Sequence, residues 1–365
     1  MASLKSLKQT SLEAYCEEQG EKFYWISNEQ KVLDRTLKSL VGEVRFPSQI
    51  TSMYCGRVRD SVIFGKSYVI GESGRAVFLN QSHRNYSRDE FSRYYFNDIV
   101  IERLARPLIE DECCFLGGFS GQDRYFGHFI FEFLYRLVAF EMCGVLGKYP
   151  IVVFDEIPAS WMSFIELYGV PRSMIIQVPQ QPCPKFKAVW IASCPNFLNS
   201  DSRYSFWDDG IHFLRKRLRE KASKQFPSGP GRVFLGRKGA RHRRLVNENL
   251  VWDFLSSHGF VYPDLTGEPA AEQIAAVASA EIIVSVTGSN SSMTQFAPNN
   301  VSIIDIVPPK LGGGLGSLGF AAVIGQTYTR VEANSVSSSA PSGINDDIEV
   351  DLAILSKALE LADKL

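Results

Sequence analysis

Three stretches of this chain place reactive side chains at spacings that suggest chemistry. In the first, the apolar run EIIVSV (281–286) leads directly into Thr287-Gly288-Ser289-Asn290-Ser291-Ser292. A buried strand that ends on a glycine and starts a helix offers an anion two things. Gly288 allows close approach of the backbone, and the following residues supply hydroxyl, amide and N–H donors at the positive end of a helix dipole. Ser and Asn are also ordinary helix caps, and that reading stays open beside the phosphate one.

In the second, GRKGARHRR (236–244) gathers Arg237, Lys238, Arg241, Arg243 and Arg244 just after the run RVFLG. Cations there stand beyond the carboxyl end of an expected strand, where open α/β sheets bind ligands, and arginine suits bidentate contact with phosphate. The alternative is a solvated basic loop in which only one or two side chains act, Arg237 first because it is nearest the strand.

The third, GGFSGQDRYFGHFIFEFLYRL (117–137), is almost wholly apolar from residue 126 yet carries His128, Glu132 and Arg136 at spacing four. A polar stripe on a buried helix needs a partner or a cavity. Either Glu132 pairs with Arg136 and His128 merely starts the helix, or His128 is a general base oriented by Glu132. Asp123, in the glycine-rich loop before the helix, is a second base candidate.

A fourth stretch is a decoy. Gly314-Leu315-Gly316-Ser317-Leu318-Gly319 fits G-x-G-x-x-G, with Glu332 downstream, as in dinucleotide sites. Pro308, Pro309 and Lys310 separate it from the preceding strand, the helix before TYTRV is short for a crossover, and little chain remains afterwards. An NAD(P)-dependent oxidoreductase is therefore a rival reading, not the leading one.

The elements that must hold these residues follow from patterning. The second half alternates strand RVFLG (232–236), helix 246–257, strand FVY (260–262), helix 269–279, strand EIIVSV, a helix near 291–296 and strand SIIDIV (302–307). Continuous apolar strands alternating with helices predict a doubly wound parallel sheet. A strongly basic helix, 206–222, precedes it; a Ser-rich loop (335–343) and an amphipathic helix (351–364) follow. In the first half SVIFG, KSYVI and RAVFL predict a β-meander. A helix over 89–106, a buried strand DECCFLGG, a long helix over 126–145, strand PIVVFD, helix 159–168 and strands MIIQV and FKAVWIA come next. Residues 1–60 read as a helical or irregular extension. The expected division is a 1–60 extension, a 61–205 N-terminal α/β domain and a 206–365 C-terminal Rossmann-like domain.

Bulk properties agree with an α/β enzyme of two domains. The chain has 365 residues, 45% hydrophobic and 22% charged, with a formal charge of −1, so neither nucleic acid nor an anionic membrane is called for as main partner. Seven cysteines, odd in number and irregular in spacing, argue for a reducing compartment. The five histidines never fall at zinc-ligand spacing, so no metal site is expected. The first residues lack the apolar core of a signal peptide and no apolar run is long enough to span a bilayer. The expected location is the cytoplasm, with peripheral association at the inner face of the membrane left open.

In order along the chain, these segments resemble glycosyltransferase family 61, particularly its bacterial, capsular-polysaccharide-type members. Tyr125-Phe126-Gly127-His128-Phe129 through Arg136 resembles the family's aromatic-Gly-His helix start, with its acid at Glu132. Arg237 and then Arg243-Arg244-Leu245-Val246-Asn247-Glu248 resemble its arginine and Asn-Glu block. Gly259-Phe260, Glu272-Gln273-Ile274, the Ala280–Pro298 segment and Ile304-Asp305-Ile306 complete the series. Thr287 stands where the family commonly has histidine, and Met293 where it has asparagine.

The resemblance implies a GT-B-like arrangement of two Rossmann-type domains facing a cleft, the C-terminal one binding a nucleotide sugar and the N-terminal one the acceptor. It implies inversion at the anomeric carbon with no metal and no other cofactor. Donor-binding candidates are Arg237, Arg243, Arg244, Asn247, Gln273, Thr287, Gly288, Ser289, Asn290, Ser291 and Ser292; His128, Asp123 and Glu132 are the candidate bases. Expected partners are a nucleotide diphosphate sugar, UDP-linked first, and a glycan or glycolipid acceptor. A non-catalytic nucleotide- or glycan-binding homologue is a second rival, raised by Thr287 and Met293.

Overall fold

The computed structural model describes residues 8–27, 31–50, 52–64, 68–70, 75–78, 108–117, 126–154, 157–179, 185–193, 197–198, 204–227, 229–309, 317–336 and 345–365. Asp123, the 89–106 helix, Gly314–Gly316 and most of the Ser-rich stretch lie outside them. The chain forms two compact units, one of residues 1–32 and 49–210, the other of 33–48 and 211–365.

The sheet of the first unit is mixed. Met53–Phe64, Tyr68–Ile70 and Arg75–Phe78 pair antiparallel, the meander that their alternation predicts. On the other side of Met53–Phe64 lies Lys185–Ala192, antiparallel to it, followed by Leu108–Phe115, Ile151–Phe154 and Ile175–Val178, all parallel. Of these, Ile151–Phe154 is apolar and buried throughout, as a strand covered on both faces must be, and Cys113 and Cys114 are fully buried beside it. The first sixty residues differ from expectation. They hold a helix, Leu12–Gln19, and strands at Lys8–Thr10, Phe23–Ser27, Lys31–Ser39 and Gly42–Ile50, with a fifth beginning at Met53. Lys31–Ser39 and Gly42–Ile50 pair with each other across a two-residue turn, while Lys8–Thr10 and Phe23–Ser27 pair with Arg75–Phe78 and Met53–Phe64, partners that a weakly patterned segment does not advertise.

The helical stretch from 126 is divided in three. Phe126–His128 is a single α turn, Phe129–Phe133 is π-helical, and Arg136–Met142 resumes α. The widened turn is closed by the Leu134 N–H donating to the Phe129 carbonyl at 3.0 Å. Such π-turns occur mostly as local insertions within α-helices, frequently at functional sites. Phe126 and Phe129 pack against Trp161 and Phe164 of the helix Ala159–Tyr168, which anchors the turn that carries His128.

In the second unit Arg232–Leu235, Ile282–Val286, Ser302–Val307 and Thr327–Glu332 lie side by side, all parallel, and Lys31–Ser39 extends the sheet beyond Thr327. After Arg232–Leu235 the chain passes through the helix Glu248–Ser257 to a single parallel bridge, Val233 to Val261, on that strand's outer side. It then returns by Ala270–Ala275 to Ile282–Val286 on the inner side. The expected strand at 260–262 shrinks to this bridge because Gly259, at φ 78°, turns into it and Pro263 follows it. The direction of the chain across the sheet thus reverses between Arg232–Leu235 and Ile282–Val286. Open α/β sheets bind ligands at the carboxyl ends of such a strand pair.

The expected helix near 291 is a 3-10 helix, Asn290–Phe296. Its own side chains explain the tighter winding. Ser291, Ser292 and Thr294 hydroxyls donate to the carbonyls of Gly288, Ser289 and Ser291 at 2.6–2.7 Å, and the Gln295 amide donates to that of Ser292. Each reaches three residues back, the 3-10 spacing. The basic helix Asp208–Ala222 buries Ile211, Leu214, Leu218 and Ala222, and its Arg215 and Arg219 donate to the carbonyls of Gln295, Phe296 and Ala297. Those two arginines cap the 3-10 helix. Among the described residues no helix is long and apolar enough to cross a membrane.

Candidate functional site

Gly288 follows the Ile282–Val286 strand and Arg237 follows Arg232–Leu235, one on each side of the reversal point. A Cβ at residue 288 would overlap the Arg237 Nη1. The glycine therefore makes room for a guanidinium, where the sequence alone suggested room for a ligand's approach to the backbone. Arg237 donates from Nε to the Arg243 carbonyl (2.9 Å), from Nη2 to the His242 carbonyl (2.7 Å) and from Nη1 to the Thr287 carbonyl (3.4 Å). With three of its N–H groups on backbone, one remains on each terminal nitrogen for an outside acceptor.

The electrostatics point the same way. Burial, then the charge of Arg243, lower the Arg237 pKa to about 10, against a smaller opposing effect of Glu248. At neutral pH the group stays cationic while incompletely neutralised, a state that an arriving anion relieves. Arg243 itself sits at φ 54°, the left-handed region, which turns its carbonyl to Arg237.

Two residues absent from the sequence-derived candidates fix this loop. Glu248 Oε1 accepts from the Arg237 backbone N–H (2.7 Å) and from the Tyr262 hydroxyl (2.5 Å), whose oxygen accepts from the Lys238 N–H (3.1 Å). A Cβ at Gly236 would overlap both groups. Gly236, invisible as anything but a strand end, was the available signal.

Other candidates are occupied elsewhere. Arg244 is exposed and paired with Asp347, which also accepts from the Arg244 N–H. Asn247 exchanges two hydrogen bonds with the backbone of Val350, and Ile348 and Val246 bond their backbones to the same segment. This part of the basic block thus fastens residues 345–350 along itself. Gln273 is buried and donates to the Glu268 carbonyl, closing the turn before its own helix. Thr287, Ser291 and Ser292 are buried, and their hydroxyls are spent on Asp305, Gly288 and Ser289 respectively. Ser289 is half-buried; Asn290 is exposed and donates to the Gly236 carbonyl at 3.4 Å, linking the two loops. Seven residues of 3-10 helix carry little dipole, so the positive charge of this region comes chiefly from the arginine loop.

In the first unit Glu132 forms a short hydrogen bond to His128 Nδ1. Burial disfavours the charged imidazole, but the Glu132 charge and hydrogen bond prevail and raise the His128 pKa above its ordinary value. Nδ1 is thus the nitrogen engaged by the carboxylate. The His128 side chain keeps 39% exposure, against 12% for Glu132. Arg136 is buried, donates to the Leu116 carbonyl and lies 5.6 Å from the Phe133 ring. Asp123 lies outside the described residues.

The first unit carries a carboxylate-bonded histidine and the second an arginine cluster where the sheet reverses, and the chain is a glycosyltransferase. Residues 126–304, just under half of its length, match the family model of glycosyltransferase 61, which supports a place in that family. The matched span begins beside His128 and takes in the Arg237 loop and Gly288. No curated protein matches the chain. An enzyme of this class joins a donor sugar to an acceptor glycan.

Proposed function

We propose that the chain is an inverting, metal-independent, GT-B-like glycosyltransferase that moves a sugar from a nucleotide diphosphate sugar, UDP-linked, to a hydroxyl of a glycan in surface polysaccharide synthesis of the capsular type. It works in the cytoplasm or at the inner face of the membrane. The observation that carries the reading is the Arg237 guanidinium seated in the space left by Gly288, with Arg243 beside it, at the strand pair where the sheet reverses.

In the proposed reaction the acceptor oxygen attacks the anomeric carbon as His128 Nε2 takes its proton. The bond from that carbon to the diphosphate breaks on the opposite face. The leaving diphosphate departs with the electron pair and is stabilised by Arg237 and Arg243. Donors already in place where negative charge develops lower the barrier more than any other single device in such reactions. Glu132 keeps His128 in the tautomer that accepts at Nε2 and stabilises the imidazolium that results.

Calorimetric titration with UDP tests the reading. Arg237→Ala should weaken UDP binding roughly tenfold to a hundredfold, the range for hydrogen bonds to a charged group. EDTA should leave wild-type binding and sugar transfer unchanged. Equal UDP affinity in the variant would remove Arg237 from the site. Tight NADH binding without a UDP response would replace the transferase reading by the oxidoreductase one.

A further inference from the structure

Ser302–Val307 is buried throughout and apolar except for its first residue and Asp305, whose side chain is 1% exposed. Three hydroxyls from the flanking strands and the turn beyond them converge on this carboxylate. Ser285 donates to Oδ1 at 2.6 Å; Thr287 and Tyr328 donate to Oδ2 at 3.0 and 2.6 Å. Burial pushes the carboxyl above its ordinary pKa, while the three hydroxyls and the charge of Arg330 pull it down. A buried carboxylate is costly, and an apolar residue would fill the same place between two apolar strands more stably. Its retention calls for an account other than packing.

Thr287 supplies one. Its hydroxyl is held by Asp305, its N–H donates to the Ile306 carbonyl, and its own carbonyl accepts from Arg237 Nη1. The residue is a rigid joint between the middle of the sheet and the cation above it, and being 2% exposed it does not face a ligand itself. We propose that Asp305 is a positioning residue for the donor site: by fixing Thr287 it sets where the Arg237 guanidinium stands. The proposal rests on the nucleotide-sugar reading above for its effect on binding, but not for its effect on Arg237.

The test pairs Thr287→Val with Ser285→Ala in the full chain. Each removes one buried hydroxyl from the same carboxylate, but only Thr287 is joined to Arg237. A merely structural carboxylate predicts the same outcome for both. Two quantities are measured: solvent exchange of the Arg237 Nε–H by NMR, and UDP affinity by calorimetry. Thr287→Val should speed exchange and weaken UDP binding roughly five- to tenfold, about the worth of one hydrogen bond. Thr287→Ser, which keeps the hydroxyl, and Ser285→Ala should both behave as wild type. Asp305→Asn should follow Thr287→Val, unless it fails to fold, in which case the threonine pair alone decides. If Arg237 exchange is unchanged in Thr287→Val, or changes equally in Ser285→Ala, the proposal is overturned. If exchange splits as expected but wild type binds no UDP, the positioning stands and the nucleotide-sugar reading falls.

Discussion

The two candidate sites are built in opposite ways. Around Arg237 the cation is held by three backbone carbonyls, the loop beneath it by Glu248 and Tyr262, and Thr287 by a buried carboxylate. Around His128, among the described residues, the imidazole is bonded to a carboxylate a turn away, on a helix whose winding changes at the next residue. In the proposed reaction the first serves as a fixed electrostatic target and the second as a proton acceptor whose pKa Glu132 raises. On that proposal, binding should depend on the geometry of one unit, and turnover and its pH dependence on the His128–Glu132 pair in the other.

The largest effect expected is on turnover. His128→Ala should lower kcat by about a hundredfold to ten-thousandfold, the usual worth of a positioned base, with UDP affinity unchanged. A parallel loss of UDP binding would dissolve the distinction between the sites. Next comes Gly288→Ala. The new methyl displaces Arg237 Nη1, the flexible end of a side chain, so the fold should survive while UDP affinity falls as far as in Arg237→Ala. Wild-type affinity in this variant would show that the guanidinium need not stand where it does.

Glu132→Gln sharpens the comparison through pH. His128 has a raised pKa, so activity should appear only as pH climbs through a value above that of an ordinary imidazole. With the carboxylate charge gone and burial remaining, the acidic limb of kcat/KM should move to lower pH. Stability has the opposite sign. The pair contributes fully below the unfolded pKa of histidine and loses that contribution as pH rises through the raised folded value. A pH profile identical to wild type would break the assignment. Smallest of all, Arg244→Ala should change UDP affinity less than about fivefold, as befits an exposed ion pair acting at one remove.

Much of this was legible in the residues. The strands Ile151–Phe154, Ile282–Val286 and Ser302–Val307 were readable because burial on both faces makes them almost continuously apolar, and the Arg237 loop and Gly288 because cations and a glycine stood at strand ends. The 3-10 helix was not, since side-chain bonds to carbonyls three residues back decide its winding. Nor were the N-terminal strands, whose residues carry no clean alternation and of which Lys8–Thr10 and Phe23–Ser27 pair with strands further along the chain. Glu248 and Tyr262 escaped notice because their role is to hold backbone. Asp305 left a visible trace, a lone carboxylate in SIIDIV, but its three hydroxyl partners come together only in the folded sheet.

The segment 345–350, bonded along the far end of the basic block, has a bearing on synthesis. Asp347 and Val350 lie 103 residues beyond the Arg244 and Asn247 they meet. At ribosomal speeds that is a delay of about 5 to 20 seconds. For that interval the nascent chain carries its arginine loop without the strand-like segment that fastens one side of it. The site is thus finished late, by residues that have no part in its chemistry.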